Sequence, residues 1–156
     1  MNLSTKKYIS TKTYPHSKGL SCAFRQWKAD SHCKYLHGYA FQVKFWFGAN
    51  ELDVRNWVVD FGSLKSLYQI LEDTFDHKTL VAHDDPQLDL YYSLHKAGVI
   101  QLCEVPATGC EAFAEMIFEV ASQWLIDAGY GSRCVVLAVE VSEHEGNSAI
   151  YCKSDS

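Results

Sequence analysis

Nine consecutive residues, Ser31-His32-Cys33-Lys34-Tyr35-Leu36-His37-Gly38-Tyr39, bring together a thiol, two imidazoles and phenol side chains just ahead of a strand-like run. Cysteine and histidine are the side chains whose protonation chemistry lies nearest neutral pH, and histidine is the commonest ligand of borderline-soft metals. A lone histidine or cysteine beside a strand is ordinarily a packing or surface residue; the density of the cluster marks it as a candidate active site. Its spacing is neither the paired C-x-x-C of a zinc knuckle nor the H-E-x-x-H of a helical zinc protease, so generic motifs leave its chemistry open. Three further spots carry ionisable groups where elements should end: His16, Asp76-His77 and Glu143-His144-Glu145. A metal held by histidines beside a cysteine can polarise a substrate oxygen while the thiolate abstracts a proton, so zinc-assisted proton shuttling is the chemistry the residues suggest.

The elements that must position these groups are readable from periodicity. Tyr8 to Tyr14 is rich in β-branched and aromatic residues and reads as a strand that ends just before Pro15-His16. Phe41, Val43, Phe45 and Phe47 alternate with Gln42, Lys44 and Trp46, a half-buried second strand for which Asn56 to Phe61 offers a hairpin partner. Leu64, Leu67, Tyr68, Leu71 and Phe75 follow helical spacing up to Asp76-His77. A second helix is signalled by a capping-box pattern from Thr108 to Glu111 and a stripe of Phe113, Met116, Ile117, Val120 and Trp124. Between them, residues 83 to 105 suggest a short helix over Leu88 to Lys96 and a brief extended piece. Val135 to Ser142 alternates as a strand ending at Glu143, and Ile150-Tyr151 begins another. The order predicts an α+β architecture, antiparallel strands with helices on one face.

Composition narrows the class. With 156 residues and 47% hydrophobic content, one domain spanning 1–156 is expected. A net charge of −5 argues against a general nucleic-acid binder. Without a signal-peptide pattern or an apolar run long enough to span a bilayer, a soluble cytoplasmic protein is expected, free of membrane partners and with its six cysteines reduced.

The ordered set Cys33-x-x-x-His37-Gly38, with His16 upstream, Asp60-Phe61, Asp76-His77 after a helix, Glu111 opening the next and Glu143 ending a strand, resembles the 6-pyruvoyl- and 6-carboxytetrahydropterin synthases over nearly the whole chain. The resemblance implies a T-fold, a four-stranded antiparallel sheet with two main helices on one face, whose sheets join into an oligomeric barrel, a homo-hexamer built as a dimer of trimers. It implies zinc-dependent conversion of 7,8-dihydroneopterin triphosphate to 6-carboxy-5,6,7,8-tetrahydropterin, with release of acetaldehyde and triphosphate, for 7-deazaguanine and queuosine biosynthesis. Carried over by position, Cys33 is the general base, His77 the proton relay oriented by Asp76, and Glu143 the pterin anchor, with Glu111 also on the substrate. The alternatives are 6-pyruvoyltetrahydropterin synthase activity and a noncatalytic pterin- or metal-binding relative.

Two departures stand out. The family's metal ligands are a first-strand histidine plus His-Gly-His, and here the last position is Tyr39. A phenol ionises only near pH 10 and is a costly zinc ligand, so His16, His37 and His32 form the favoured set, with Tyr39 as the alternative third ligand and other divalent transition metals admissible. The segments 19–28 and 83–105 are longer than in compact bacterial enzymes; Arg25 and Lys28 could grip triphosphate, and Phe24 and Trp27 could wall a pterin ring.

Overall fold

The computed structural model describes residues 6–153. Seven strands and three helices follow in the order β1 (Tyr8–Tyr14), β2 (Leu20–Phe24), β3 (His37–Ala49), α1 (Leu64–Phe75), β4 (Lys78–Ala82), α2 (Leu88–Lys96), β5 (Leu102–Val105), α3 (Cys110–Asp127), β6 (Cys134–His144) and β7 (Asn147–Tyr151). β1, β3, β6 and β7 form an antiparallel quartet in that spatial order. The sheet does not stop at four strands. β2 pairs antiparallel with β3 beyond the end of β1, and β4 and β5 then join in parallel, so the sheet is mixed.

β1 and β2 run along the same edge of β3, separated by an excursion. Tyr14 pairs with Val43 and Leu20 with Phe41, so Pro15 to Gly19 stand against Gln42 alone. Pro15 cannot donate to the ladder, and the 3-10 turn His16–Lys18 closes on Gly19, whose φ of 77° is in the left-handed region that glycine enters without penalty. The result lifts His16 out of the ladder at the boundary between the two strands.

The helices pack where the alternation requires. Phe41, Val43, Phe45 and Phe47 of β3 are fully buried, as are Leu64, Leu67, Leu71 and Phe75 along α1 and Phe113, Ala114, Ile117 and Ala121 of α3. Phe24, Phe41, Phe75 and Phe113 interlock beneath the start of β3; Phe113 meets Phe24, Phe41 and Phe75 edge-on at centroid distances of 5.2, 5.6 and 5.5 Å. Edge-to-face pairs of this kind add about 0.5–1.5 kcal/mol each beyond area burial. This cluster is the rigid floor on which His37 and Tyr39 stand.

Several local expectations are revised. Residues 50–63 form turns rather than a strand, because the Asp53 carboxylate accepts the backbone N–H groups of Arg55 and Trp57 and bends the chain. The expected capping box is not formed: Gly109 is the N-cap of α3, and the Thr108 hydroxyl donates instead to the Arg25 carbonyl. The segment 19–28, expected as a loop, begins with β2, which buries Phe24 in the core and so removes it from any ligand wall. All six cysteines are unpaired, and among the described residues no helix is long and apolar enough to cross a membrane.

Candidate active site

The two ends of the candidate site are fixed by different elements. At one end stand His16 and His37. His16 Nδ1 lies 2.5 Å from the Ala40 carbonyl and His37 Nδ1 2.7 Å from the Tyr35 carbonyl. A carbonyl only accepts, so each ring carries its proton on Nδ1 and presents the Nε2 lone pair outward. That is the arrangement in which a backbone carbonyl fixes tautomer and ring orientation for metal ligation. Each imidazole is thus disposed, on its own, to ligate a borderline-soft cation.

The third position does not complete the set. His32 sits on the exposed turn His32–Lys34, and among the described residues its ring makes no hydrogen bond. Tyr39 shares a face with His37, ring centroids 5.4 Å apart. Partial burial, then the nearby Glu143 charge, pushes its phenol above the ordinary value, which opposes the phenolate a metal requires. Among the described residues no three His, Cys, Asp or Glu side chains converge, so the expected trio His16, His32 and His37 is not assembled within one chain.

Beside Tyr39, the end of β6 meets the start of α3. Burial of the Cys110 thiol, then the charges of Glu143 and Glu111, pushes it up to about 12. Cys33, half-buried on the turn before β3, lies in the same surroundings of Tyr39. Glu143 is half-buried and Glu111 lies exposed in the first turn of α3, where the helix N-terminus favours a carboxylate. Two carboxylates at one mouth suit a planar ligand edge rich in N–H donors, because a carboxylate accepts such bonds in a fork. Cys110 escaped the sequence reading, which assigned its neighbour Thr108 to capping.

The Asp76-His77 pair is built separately. His77 Nδ1 lies 2.8 Å from Asp76 Oδ2, and the imidazole is 84% exposed. β2 holds both residues: the His77 N–H donates to the Ser21 carbonyl at 2.7 Å, and Asp76 Oδ1 accepts the Ser21 N–H at 3.2 Å. His77 has φ of 56°, a left-handed conformation that non-glycine residues hold only when their surroundings impose it. Its ring opens onto a groove of about 700 Å³ walled by Gly38 and Ala23 on one side and by His95, Val99 and Gln101 on the other. Among the described residues no hydrogen bond or ion pair joins this dyad to Cys33. A cavity of about 500 Å³ lined by Tyr8, Leu52, Trp57 and Phe61 contains no histidine or cysteine and is not the site.

Arg25 is committed elsewhere. Its Nε and Nη2 hold the two oxygens of Asp85 at 2.8 and 2.6 Å, while Lys28 pairs with Asp84 and Trp27 donates to it. Within one chain, Arg25 and Lys28 thus each face a carboxylate of the 83–105 segment.

A family model described as 6-pyruvoyl tetrahydropterin synthase matches residues 15–154. The 6-carboxy-5,6,7,8-tetrahydropterin synthase of Aquifex aeolicus is 24% identical over 135 residues, covering 85% of this chain and 83% of that protein. Among solved structures, an uncharacterized protein from Wolinella succinogenes superposes with a TM-score of 0.79 at 17% identity, covering 94% of this chain and 98% of its own. The 6-pyruvoyl tetrahydropterin synthase of Plasmodium vivax gives 0.65 at 15%, covering 96% and 100%. The structural matches carry the fold, the family model spans nearly the whole chain, and the motif order agrees: the chain belongs to the 6-pyruvoyl tetrahydropterin synthase family.

Proposed function

We propose that this protein is a metal-dependent carbon-oxygen lyase that converts 7,8-dihydroneopterin triphosphate to 6-carboxy-5,6,7,8-tetrahydropterin, releasing acetaldehyde and triphosphate, as a step toward 7-deazaguanine and queuosine. The observation that supports it is a shared neighbourhood: Glu143 and Cys33 both lie near Tyr39, Glu143 and Glu111 lie near Cys110, and His37 packs edge-on against Tyr39. The name of the Aquifex aeolicus relative favours the carboxy product over the pyruvoyl one.

In this reading Glu143 and Glu111 accept the pterin's amino and ring N–H groups and set the register of the ring. Cys33 takes the proton from the substrate side chain, and His77, held through Nδ1 by Asp76, returns one through Nε2. Zinc, or another divalent transition metal held by His16 and His37, would withdraw charge from the side-chain hydroxyls when bound. We assign a cytoplasmic homo-hexamer, a dimer of trimers whose single-domain subunits join through their sheets, with the site shared between copies. Pairing the outer edges of β1 and β7 between copies would remove the free strand edges that the quartet leaves.

The test is incubation of zinc-loaded wild type and Cys33→Ala with dihydroneopterin triphosphate, reading products by mass spectrometry. Wild-type release of acetaldehyde with 6-carboxytetrahydropterin, lost in Cys33→Ala, is the expected result; a pyruvoyl product reassigns the reaction. One observation, the phenol at position 39, favours a second reading as a pterin-binding protein without turnover, and pterin binding with no product from either protein would select it.

A further inference from the structure

The Arg25-Gln26 dipeptide, at the exit of β2, is in contact with three separate pieces of the chain. The Gln26 N–H donates to the Cys33 carbonyl at 3.0 Å, fixing the backbone of the turn that carries the thiol. The Arg25 carbonyl accepts the Thr108 hydroxyl at 2.7 Å, and Gln26 Nε2 donates to the Thr108 carbonyl at 3.4 Å, tying the dipeptide to the entrance of α3 and hence to Cys110 and Glu111. The Arg25 side chain then holds Asp85 in a fork, with Nη1 turned toward the Lys34 carbonyl at 3.5 Å. Asp85 lies in the segment 83–105, and its side chain is 1% exposed. Its own Oδ1 accepts the Gln87 N–H just before α2, so the anchor is itself immobilised.

We propose that the Arg25–Asp85 pair is a positioning device for the reaction: through Arg25-Gln26 it sets where the Cys33 turn stands relative to Glu111, which makes the 83–105 segment part of the active-site support. Two features separate this from an ordinary stabilising ion pair. The pair is bidentate, and a planar fork fixes direction as well as distance. The single peptide unit joining Arg25 to Gln26 makes the bonds to both Cys33 and Thr108, so a shift of the Arg25 backbone is passed to both. Lys28–Asp84, on the same loop, is exposed at both ends and has no bond to the Cys33 turn, which makes it the matched control.

The inference rests on the proposed reaction for its kinetic arm alone; the labelling arm needs no substrate. Wild type, Arg25→Lys, Asp85→Asn, Thr108→Val and Lys28→Ala are reacted with iodoacetamide, and Cys33 modification is followed by peptide mass spectrometry alongside thermal melts. Arg25→Lys and Asp85→Asn should raise the Cys33 rate about fivefold, the factor by which loss of one net hydrogen bond increases an opened turn. Lys28→Ala should match wild type. Should Asp85→Asn fail to fold, Thr108→Val, which removes the shorter of the dipeptide's two bonds to the entrance of α3 and leaves the ion pair intact, should give the same rise. In turnover assays Arg25→Lys should lose kcat by about 10²-fold with KM little changed, as expected when a reacting group is displaced by about 1 Å. A lower melting temperature with Cys33 labelling and kcat unchanged would make the pair merely structural and overturn the proposal. Were wild type to show no turnover, the proposed reaction would fall, and the labelling rates alone would decide the positioning role.

Discussion

Gly38 separates His37 from Tyr39, and the structure gives its absence of a side chain a definite value. A Cβ at this position would lie 2.7 Å from the Cys22 carbonyl oxygen, with the Cys22 carbonyl carbon at 3.6 Å and the Ala23 Cα at 3.7 Å. The nearest contact is 0.7 Å short of the 3.4 Å at which ordinary contact begins, and all three atoms are backbone of β2, with no flexible tip to yield. Gly38→Ala must therefore push β2 away from β3. Overpacking of this kind costs about 1–3 kcal/mol, and the lower chain entropy of alanine in the unfolded state returns about 0.4–1 kcal/mol, leaving a mid-range net loss of about 1.3 kcal/mol. The displacement would also reach the chemistry from both sides, since His37 and Tyr39 flank the methyl and Ser21 of β2 holds both Asp76 and His77. Urea unfolding should show a midpoint lowered by about 0.5–1 M at unchanged slope, and turnover should fall more than the residual folded fraction explains. A Gly38→Ala protein with wild-type midpoint and turnover would refute the reasoning.

Tyr39→His replaces a phenol held protonated by burial and Glu143 with a third imidazole, and should raise zinc affinity by at least about tenfold; equal zinc content by elemental analysis after identical dialysis counts against the two-histidine description. Hydrogen bonding from Arg25 holds the Asp85 carboxyl below the usual carboxylate range. Because that folded value is depressed, the stabilisation is present above the unfolded value of about 3.9 and is lost as pH falls through the folded one, so the stability gap between wild type and Asp85→Asn should be flat above about pH 5 and close toward lower pH. A gap that stays constant down to about pH 2 in denaturant titrations would contradict the ion pair. Burial pushes the thiols of Cys22 and Cys110 up to about 12 and that of Cys134 up to about 11, so brief iodoacetamide treatment of wild type near neutral pH should label the exposed Cys152 and half-buried Cys33 first; early labelling of Cys22 or Cys110 would show that the core is more open than described.

What the sequence disclosed, and what it withheld, divides along local and non-local lines. α1 and α3 announce themselves because their buried residues recur every three or four positions, and β1, β3 and β6 because theirs alternate. β2 and β4 do not, because each has only five residues and is defined by partners far away: β2 by β3 and by a parallel β4 more than fifty positions on. Thr108 looks like a capping residue from its neighbours in sequence and is instead drawn to Arg25, over eighty positions distant. The site follows the same division. Asp76-His77 and Glu143 were legible as polar groups at the ends of periodic segments, and the Cys33 turn as a local cluster. The role of Arg25 was not, since nothing near it in the chain reveals that Asp85 takes both edges of its guanidinium.

The excursion between β1 and β2 links the two halves of the site. Had the chain continued past Tyr14 in register, position 16 would have faced Phe41 and its side chain would have been one more rung of the ladder. Inserting Pro15 to Gly19 against Gln42 expels His16 and turns its ring onto the Ala40 carbonyl, and it resets the register so that β2 can run beside His37 to Phe41. β2 in turn offers its far edge to β4 and its Ser21 peptide to Asp76 and His77. One irregularity of five residues therefore orients the His16 imidazole and carries the strand that holds the Asp76-His77 pair. A change at the excursion, unlike one at His16 or His77 alone, must be felt in both.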